Sequence, residues 1–184
     1  MSGRPRSPET DDAILDSAME VFCDSGYDGL SVESVAARAG VGKSTIYRRY
    51  PTKLDLVMAA INCAKAGIVP SPDTGSVRAD LLEIAQGYVT MLRDSQVGRA
   101  IPMTLAAKDR NPELARAHEL FVGERRALTY AVIQRGIDRG ELPAGTDPKL
   151  VADMITGALF MRVFVTGDAT GVRYIGALVD RALN

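Results

Sequence analysis

The stretch 37-ARAGVGKST-45 decides how this chain is read. Gly42-Lys43-Ser44 looks like the end of a nucleotide-binding loop, but such a loop wraps a triphosphate only when it joins a buried strand to a helix. The preceding residues, 31-SVESVAARAG-40, place Glu33, Ser34 and Arg38 where a buried parallel strand needs Val, Ile or Leu. Val32, Val35, Ala36 and Ala39 instead recur at helical spacing, with Ser31 as an N-cap and Gly40 as a stop. No downstream apolar run ending in Asp supplies a magnesium ligand. The stretch therefore reads as helix, tight glycine turn, helix. In a helix-turn-helix, the helix after the turn enters the major groove of DNA.

Working outward, the flanks agree. Ile14, Leu15, Ala18, Val21 and Phe22 give a first helix over residues 7–24, stopped by Gly26. After the turn, 43-KSTIYRRY-50 predicts a short third helix with Ile46 and Tyr50 on one face and Lys43, Thr45, Arg48 and Arg49 projecting outward. Pro51 breaks it, and Thr52 with Asp55 forms an acidic capping box for a fourth, apolar helix. The Pro- and Gly-rich segment 67–75 marks a seam. The domain boundary is placed near Lys65, giving modules 1–65 and 66–184.

Five further helical patterns follow, over residues 76–94, 98–108, 111–139, 147–165 and 171–183. Asn111-Pro112 and Asp147-Pro148 each pair a cap with proline at the first helical position. No segment reads as a strand, so the expected fold class is all-α with about nine helices.

Composition sets the bounds. The 184 residues are 46% hydrophobic, 24% charged and 5% aromatic with no Trp, a palette that folds and favours helices. The N-terminus lacks the apolar segment of a secretory signal, and the most apolar run is interrupted by Asp153 and Arg162, so the expectation is a cytoplasmic protein with no membrane partner. Cys23 and Cys63 fit reduced thiols better than a disulfide framework. The net charge of −1 hides a segregation: every charged residue from Glu9 to Glu33 is acidic, and every one from Arg38 to Lys53 is basic. That pattern suggests a basic face for nucleic acid, with a solvated charged face as the alternative. The sequence has one His, His118, and no Cys cluster or nucleophile–base constellation accompanies it, so no catalytic residue, metal site or cofactor is indicated.

Residues 11–63 resemble the DNA-binding domain of the tetracycline-repressor-like (TetR) family of transcriptional regulators, most closely through 18-AMEVFCDSGYDGLSVESVAARAGVGKSTIYRRYPTKLDL-56. The carrying pieces are Ala-x-x-x-Phe, the Gly-Tyr turn, Ala-x-x-Ala-Gly-Val and Tyr-x-x-Tyr-Pro-x-Lys, the last with Tyr50 where the family more often has Phe. The resemblance implies that Lys43, Ser44, Tyr47 and Arg48 meet the major groove. It places Thr45, Tyr47 and Lys53 on the DNA backbone, with Ser31 at a phosphate. Arg49 extends the charged face, and the N-terminal arm is expected to place Arg4 or Arg6 in the minor groove, with a disordered basic tail as the alternative.

For the remainder, the apolar helix after Asp147 and the last helix resemble the family's dimerisation seam, with Leu150, Met154, Leu159, Val163, Ile175, Leu178 and Val179 as its residues. A merely central helix is the alternative. The resemblance further implies an effector pocket lined by Tyr88, Met91, Met103, Phe121, Tyr130 and Met154, against which ordinary core packing competes. The resulting expectation is a homodimeric repressor that binds a double-stranded, pseudo-palindromic DNA operator and is released by a small-molecule effector, with no cofactor and no enzymatic activity.

Overall fold

In the computed structural model, residues 8–65 and 71–184 are described. They form nine α-helices and one π-helical turn, with no strand among them. The helices are α1 (Pro8–Gly29), α2 (Val32–Ala39), α3 (Lys43–Tyr47), α4 (Lys53–Lys65), α5 (Val77–Asp94), α6 (Gln96–Lys108), α7 (Pro112–Asp138), α8 (Pro148–Met161) and α9 (Val172–Ala182). The N-terminal arm with Arg4 and Arg6, and part of the Pro/Gly-rich seam, lie outside the described residues.

Local chemistry sets most boundaries. Gly26 breaks α1 by adopting φ 68°, ψ −177°, a backbone region closed to side chains with a Cβ. The α4 start is a reciprocal box: Thr52 N–H donates to Asp55 Oδ2 at 3.0 Å, and Asp55 N–H donates to Thr52 Oγ1 at 3.1 Å. At α5, Ser76 Oγ accepts from Ala79 N–H, while Glu141 Oε2 reaches back from beyond α7 to accept the Val77 N–H at 2.7 Å. That hydrogen bond, together with Arg139, holds the Glu141 carboxyl below its usual range.

The chain divides into two compact units. The first joins residues 8–65 to Gln96–His118, with α6 packed on α1 and α4 and the opening turns of α7 in the same unit. Its core holds Ile14, Ala18, Phe22, Val35, Ile46, Leu56 and Leu114, all essentially excluded from solvent. The second unit, residues 71–95 with Glu119–Asn184, is a layer of α5, the rest of α7, α8 and α9. Its core is Val77, Leu81, Ala85, Val132, Ile133, Val151, Ile155, Leu159, Ile175 and Val179.

Two features depart from the sequence reading. The pattern expected to run as one helix over 147–165 is α-helical only to Met161 and widens into a π turn over Arg162–Thr166, ending at left-handed Gly167. At that turn Arg162 stacks on the Tyr174 ring at 3.8 Å and donates to the Ala169 carbonyl, tying the α8–α9 connection to its flanks. Second, Leu159, Ile175 and Val179, expected at a seam between copies, are 0%, 3% and 0% exposed inside the chain's own core. They offer a second copy no surface.

Two glycines of α7 separate packing from propensity. A Cβ at Gly136 would lie 2.7 Å from the Val77 Cβ, whereas one at Gly123 would meet nothing within 4 Å. Gly136→Ala should destabilise by about 1–3 kcal/mol through overpacking. Gly123→Ala should stabilise by about 0.5–1 kcal/mol through helix propensity. Urea melts of the two variants check the opposite signs; equal effects would contradict this packing.

Candidate nucleic-acid interface

The site is built on the turn between α2 and α3. Ser31 caps α2 from an extended backbone, its Oγ accepting the Ser34 N–H at 3.1 Å, and Ser34 Oγ accepts the Ser31 N–H at 3.3 Å. Serine at the third helical position thus plays the part usually taken by Glu or Gln in a capping box. At the other end Gly40 is left-handed (φ 67°, ψ 29°), and its N–H and that of Val41 both return to the Ala36 carbonyl. Gly42 then opens α3 from an extended conformation, with no side-chain cap.

One turn of helix does not hold itself, because nucleation costs more than a few hydrogen bonds return. Tertiary contacts hold α3 in place. Ile46 is fully buried, a contribution of about 1.5–3 kcal/mol from the side chain alone. Arg49, just beyond the helix, has a side chain only 9% exposed, ion-pairs with Asp11 of α1, and donates from Nη1 to the Thr45 carbonyl at 3.2 Å. The expectation that Arg49 projects toward DNA is therefore corrected: the core-facing turn of the helix carries it inward, where it rivets α3 to α1.

Lys43, Ser44, Tyr47 and Arg48 are exposed together on the outer face, with Thr45 half-buried beside them. Tyr47, at 47% exposure, is a large ring left in water on a helix of five residues. Lys43 Nζ lies 2.9 Å from Glu33 Oε1 of α2, and this hydrogen bond raises the lysine's pKa and lowers the carboxylate's. Both groups are fully exposed, so the pair orients Lys43 rather than stabilising the fold. Arg48 makes no ion pair among the described residues. Lys53, at the start of α4, sits 4.6 Å over the Tyr27 ring and donates to the Asp28 carbonyl at 3.4 Å, which fixes its stem beside the turn.

The charge segregation has a second meaning. Arg38 pairs with Asp24 at 2.9 Å and Glu20 at 3.5 Å, Arg49 with Asp11, and Lys43 with Glu33. Acidic α1 and α2 residues thus neutralise much of the basic run inside the module. Among the described residues Arg48 and Lys53 are left with no carboxylate, Arg48 exposed and Lys53 held by the Asp28 carbonyl and the Tyr27 ring.

Tyr88 and Met91 on α5 are half-buried and Phe121 on α7 is buried, all in the second unit. Met103 belongs to the first unit, because α6 packs there. Tyr130 is half-buried, with its hydroxyl accepting from Arg126 Nε at 2.6 Å. Met154 is 41% exposed, so it lines no enclosed space in a single chain, and Leu150 is 59% exposed. Val163 and Leu178 are half-buried, Leu178 against the core of the second unit. His118 is half-buried on α7. Among the described residues no group of His, Cys, Asp and Glu could hold a metal ion, and no helix is long and apolar enough to cross a membrane.

A glycine turn that presents a short, polar, positively charged helix from a packed helical module defines a helix-turn-helix DNA-binding protein. Residues 14–60 match the family model of bacterial regulatory proteins of the tetR family, and residues 71–182 match the tetracyclin repressor-like C-terminal domain. The chain belongs to the TetR family of transcriptional regulators, which are typically repressors.

Relatives agree along the whole length. The uncharacterized HTH-type transcriptional regulator YdeS of Bacillus subtilis is 32% identical over 181 residues, covering 98% of this chain and 91% of that protein. The DNA-binding transcriptional repressor TetR of Mycobacteroides abscessus is 34% identical, with 93% and 90% covered. Among solved structures, the repressor MexZ of Pseudomonas aeruginosa shares the fold with a TM-score of 0.80 at 24% identity, over 97% of this chain and 96% of that one.

Adjacent arginines give the sharpest check. Arg48→Ala should leave the melting temperature unchanged while weakening DNA binding and lowering the slope of log affinity against log salt by about 1. Arg49→Ala should cost about 1–3 kcal/mol of stability, because it strips the partner from half-buried Asp11. Thermal melts and salt titrations of binding on both variants read this out; swapped phenotypes would refute the assignment.

Proposed function

We propose that this regulator binds a pseudo-palindromic operator as a homodimer and is released from it by a small-molecule effector. The observation that carries the DNA half is the exposed quartet Lys43, Ser44, Tyr47 and Arg48, presented by a helix whose opposite side is locked into the core. In this reading Arg48 and Lys43 face the major groove, Lys43 exchanging Glu33 for DNA. Ser44 reads base edges, Tyr47 sets its ring against the sugar–phosphate wall, and Thr45, Lys53 and Ser31 meet phosphates. Labour divides between residues 1–65 for DNA and 66–184 for effector and dimer, with α6 bracing the first part from within its own unit.

Dimerisation has its own support. Leu150, Met154, Met161 and Val165 are 59%, 41%, 50% and 64% exposed and, with exposed Gly157, recur every three or four residues along α8 and the turn after it. Such a stripe of large apolar side chains, rimmed by polar ones, marks an association surface. It runs opposite the Val151–Ile155–Leu159 face that builds the core of the second unit, so α8 serves both. Two recognition helices related by a two-fold axis would then fall about 34–36 Å apart, one turn of B-DNA.

The effector half rests on the second unit and on kinship of fold. The Bacillus subtilis regulator FadR, solved in complex with stearoyl-CoA, shares the fold with a TM-score of 0.70 at 19% identity, over 94% of this chain and 97% of that one.

The test uses a duplex selected from random DNA by the purified protein. Lys43→Ala with Arg48→Ala should abolish the sequence-specific shift, a loss of about a hundredfold or more, without changing the dimer mass. Leu150→Glu with Met154→Glu should instead give a folded monomer by mass, with a shift weakened at micromolar protein. Specific binding retained by the first variant would sink the DNA site, and a dimer retained by the second would sink the seam.

A further inference from the structure

The core-facing stripe of α7 in the second unit runs Phe121, Arg125, Thr129, Val132, Ile133 and Gly136, at the spacing of one helix face. Every member except Arg125 is buried, and Arg125 itself is largely covered, with its Nη1 out of contact with solvent and without a hydrogen-bond partner. Neighbouring arginines show what a purely structural cation looks like here. Arg126 meets Asp153 at 2.6 Å, Arg135 meets Asp73 at 3.7 Å, and Arg139 meets Glu141 at 2.6 Å. Arg125 makes no ion pair among the described residues. The titratable group whose charge acts on it is the Tyr88 phenol of α5.

Burial pushes the Arg125 guanidinium below its usual range and the Tyr88 phenol above its own, so the phenol stays a neutral hydrogen-bond donor at ordinary pH. A covered cation with no counter-ion is a standing cost to the fold, and an apolar residue of similar length would remove that cost. Groups left in that condition cluster at sites where a ligand completes them.

We propose that the effector carries a carboxylate, bound by Arg125 Nη1 with the Tyr88 hydroxyl as second donor, and an apolar body lying toward Phe121 and Met91. This rests on the ligand-responsive reading above and names the chemistry of its ligand. A monoanion matches the single uncompensated charge, whereas a phosphate dianion would carry excess negative charge into the same covered site. Phe121 stands one turn before Arg125 on α7, and Met91 one turn after Tyr88 on α5, so the two polar groups are flanked by apolar side chains on both helices. A few convergent polar groups in an apolar lining are the usual build of a small-molecule site.

The experiment is a binding titration of the purified full-length protein with straight-chain carboxylates from butanoate to dodecanoate and with benzoate, each paired with its primary amide. At least one carboxylate should bind about tenfold or more tightly than its amide, the worth of a charge-assisted hydrogen bond. Arg125→Met should erase that preference and, without ligand, melt no lower than the parent. Arg125→Lys should retain part of the preference. Equal binding of acids and amides, no binding by any acid, or a markedly lowered melting point of ligand-free Arg125→Met would each overturn the proposal. A neutral compound that releases DNA where the acids do not would overturn the carboxylate while leaving ligand response intact.

Discussion

The DNA contacts proposed for Lys43, Ser44, Tyr47 and Arg48 depend on holding still a helix of five residues, Lys43–Tyr47, that has no stability of its own. Its position is borrowed from three neighbours. Left-handed Gly40 turns the chain, Ile46 plugs the core, and Arg49 ties the far end to Asp11 and to the Thr45 carbonyl. The outward side chains can then be few and polar, because none of them is needed for folding. Rigid support behind a small contact surface lets hydrogen bonds to base edges discriminate instead of merely attract.

The same module limits its own charge. Acidic side chains of α1 and α2 sit against Arg38, Arg49 and Lys43, so among the described residues the cations of this run without a carboxylate partner are Arg48 and Lys53. Non-specific affinity for DNA grows with the number of phosphates neutralised. A module that spends its cations on its own carboxylates therefore relies more on geometry than on bulk attraction. Lys43 is the exception that can change partners, since its pair with Glu33 is fully exposed and weak.

What could be read from sequence was whatever is encoded locally. The Ser31 cap, the Gly40 stop and the Thr52–Asp55 box each depend on residues a few positions apart, and each stands in the structure as read, whereas Gly26, expected to stop the first helix, only kinks it and α1 runs on to Gly29. Long-range packing was not legible. The direction of Arg49 depends on Asp11, thirty-eight positions earlier, and the place of Met103 on α6 packing with α1 and α4. In α8, apolar nearly all round, periodicity could not say which side the chain covers itself, so Leu159 joined Leu150 and Met154 in one expected seam although the structure separates them. Arg125 was missed because a charged residue in a charged helix reads as surface. Its signal was the four-residue spacing from Phe121 and Thr129.

Hydroxyl-radical footprinting of the protein on a duplex it has selected from random sequence shows whether two copies of this turn read two half-sites. Two protected patches are expected on one face of the duplex, related by a two-fold axis and centred about one helical turn, or a multiple of it, apart. A single patch, or protection without a recurring sequence, would contradict it.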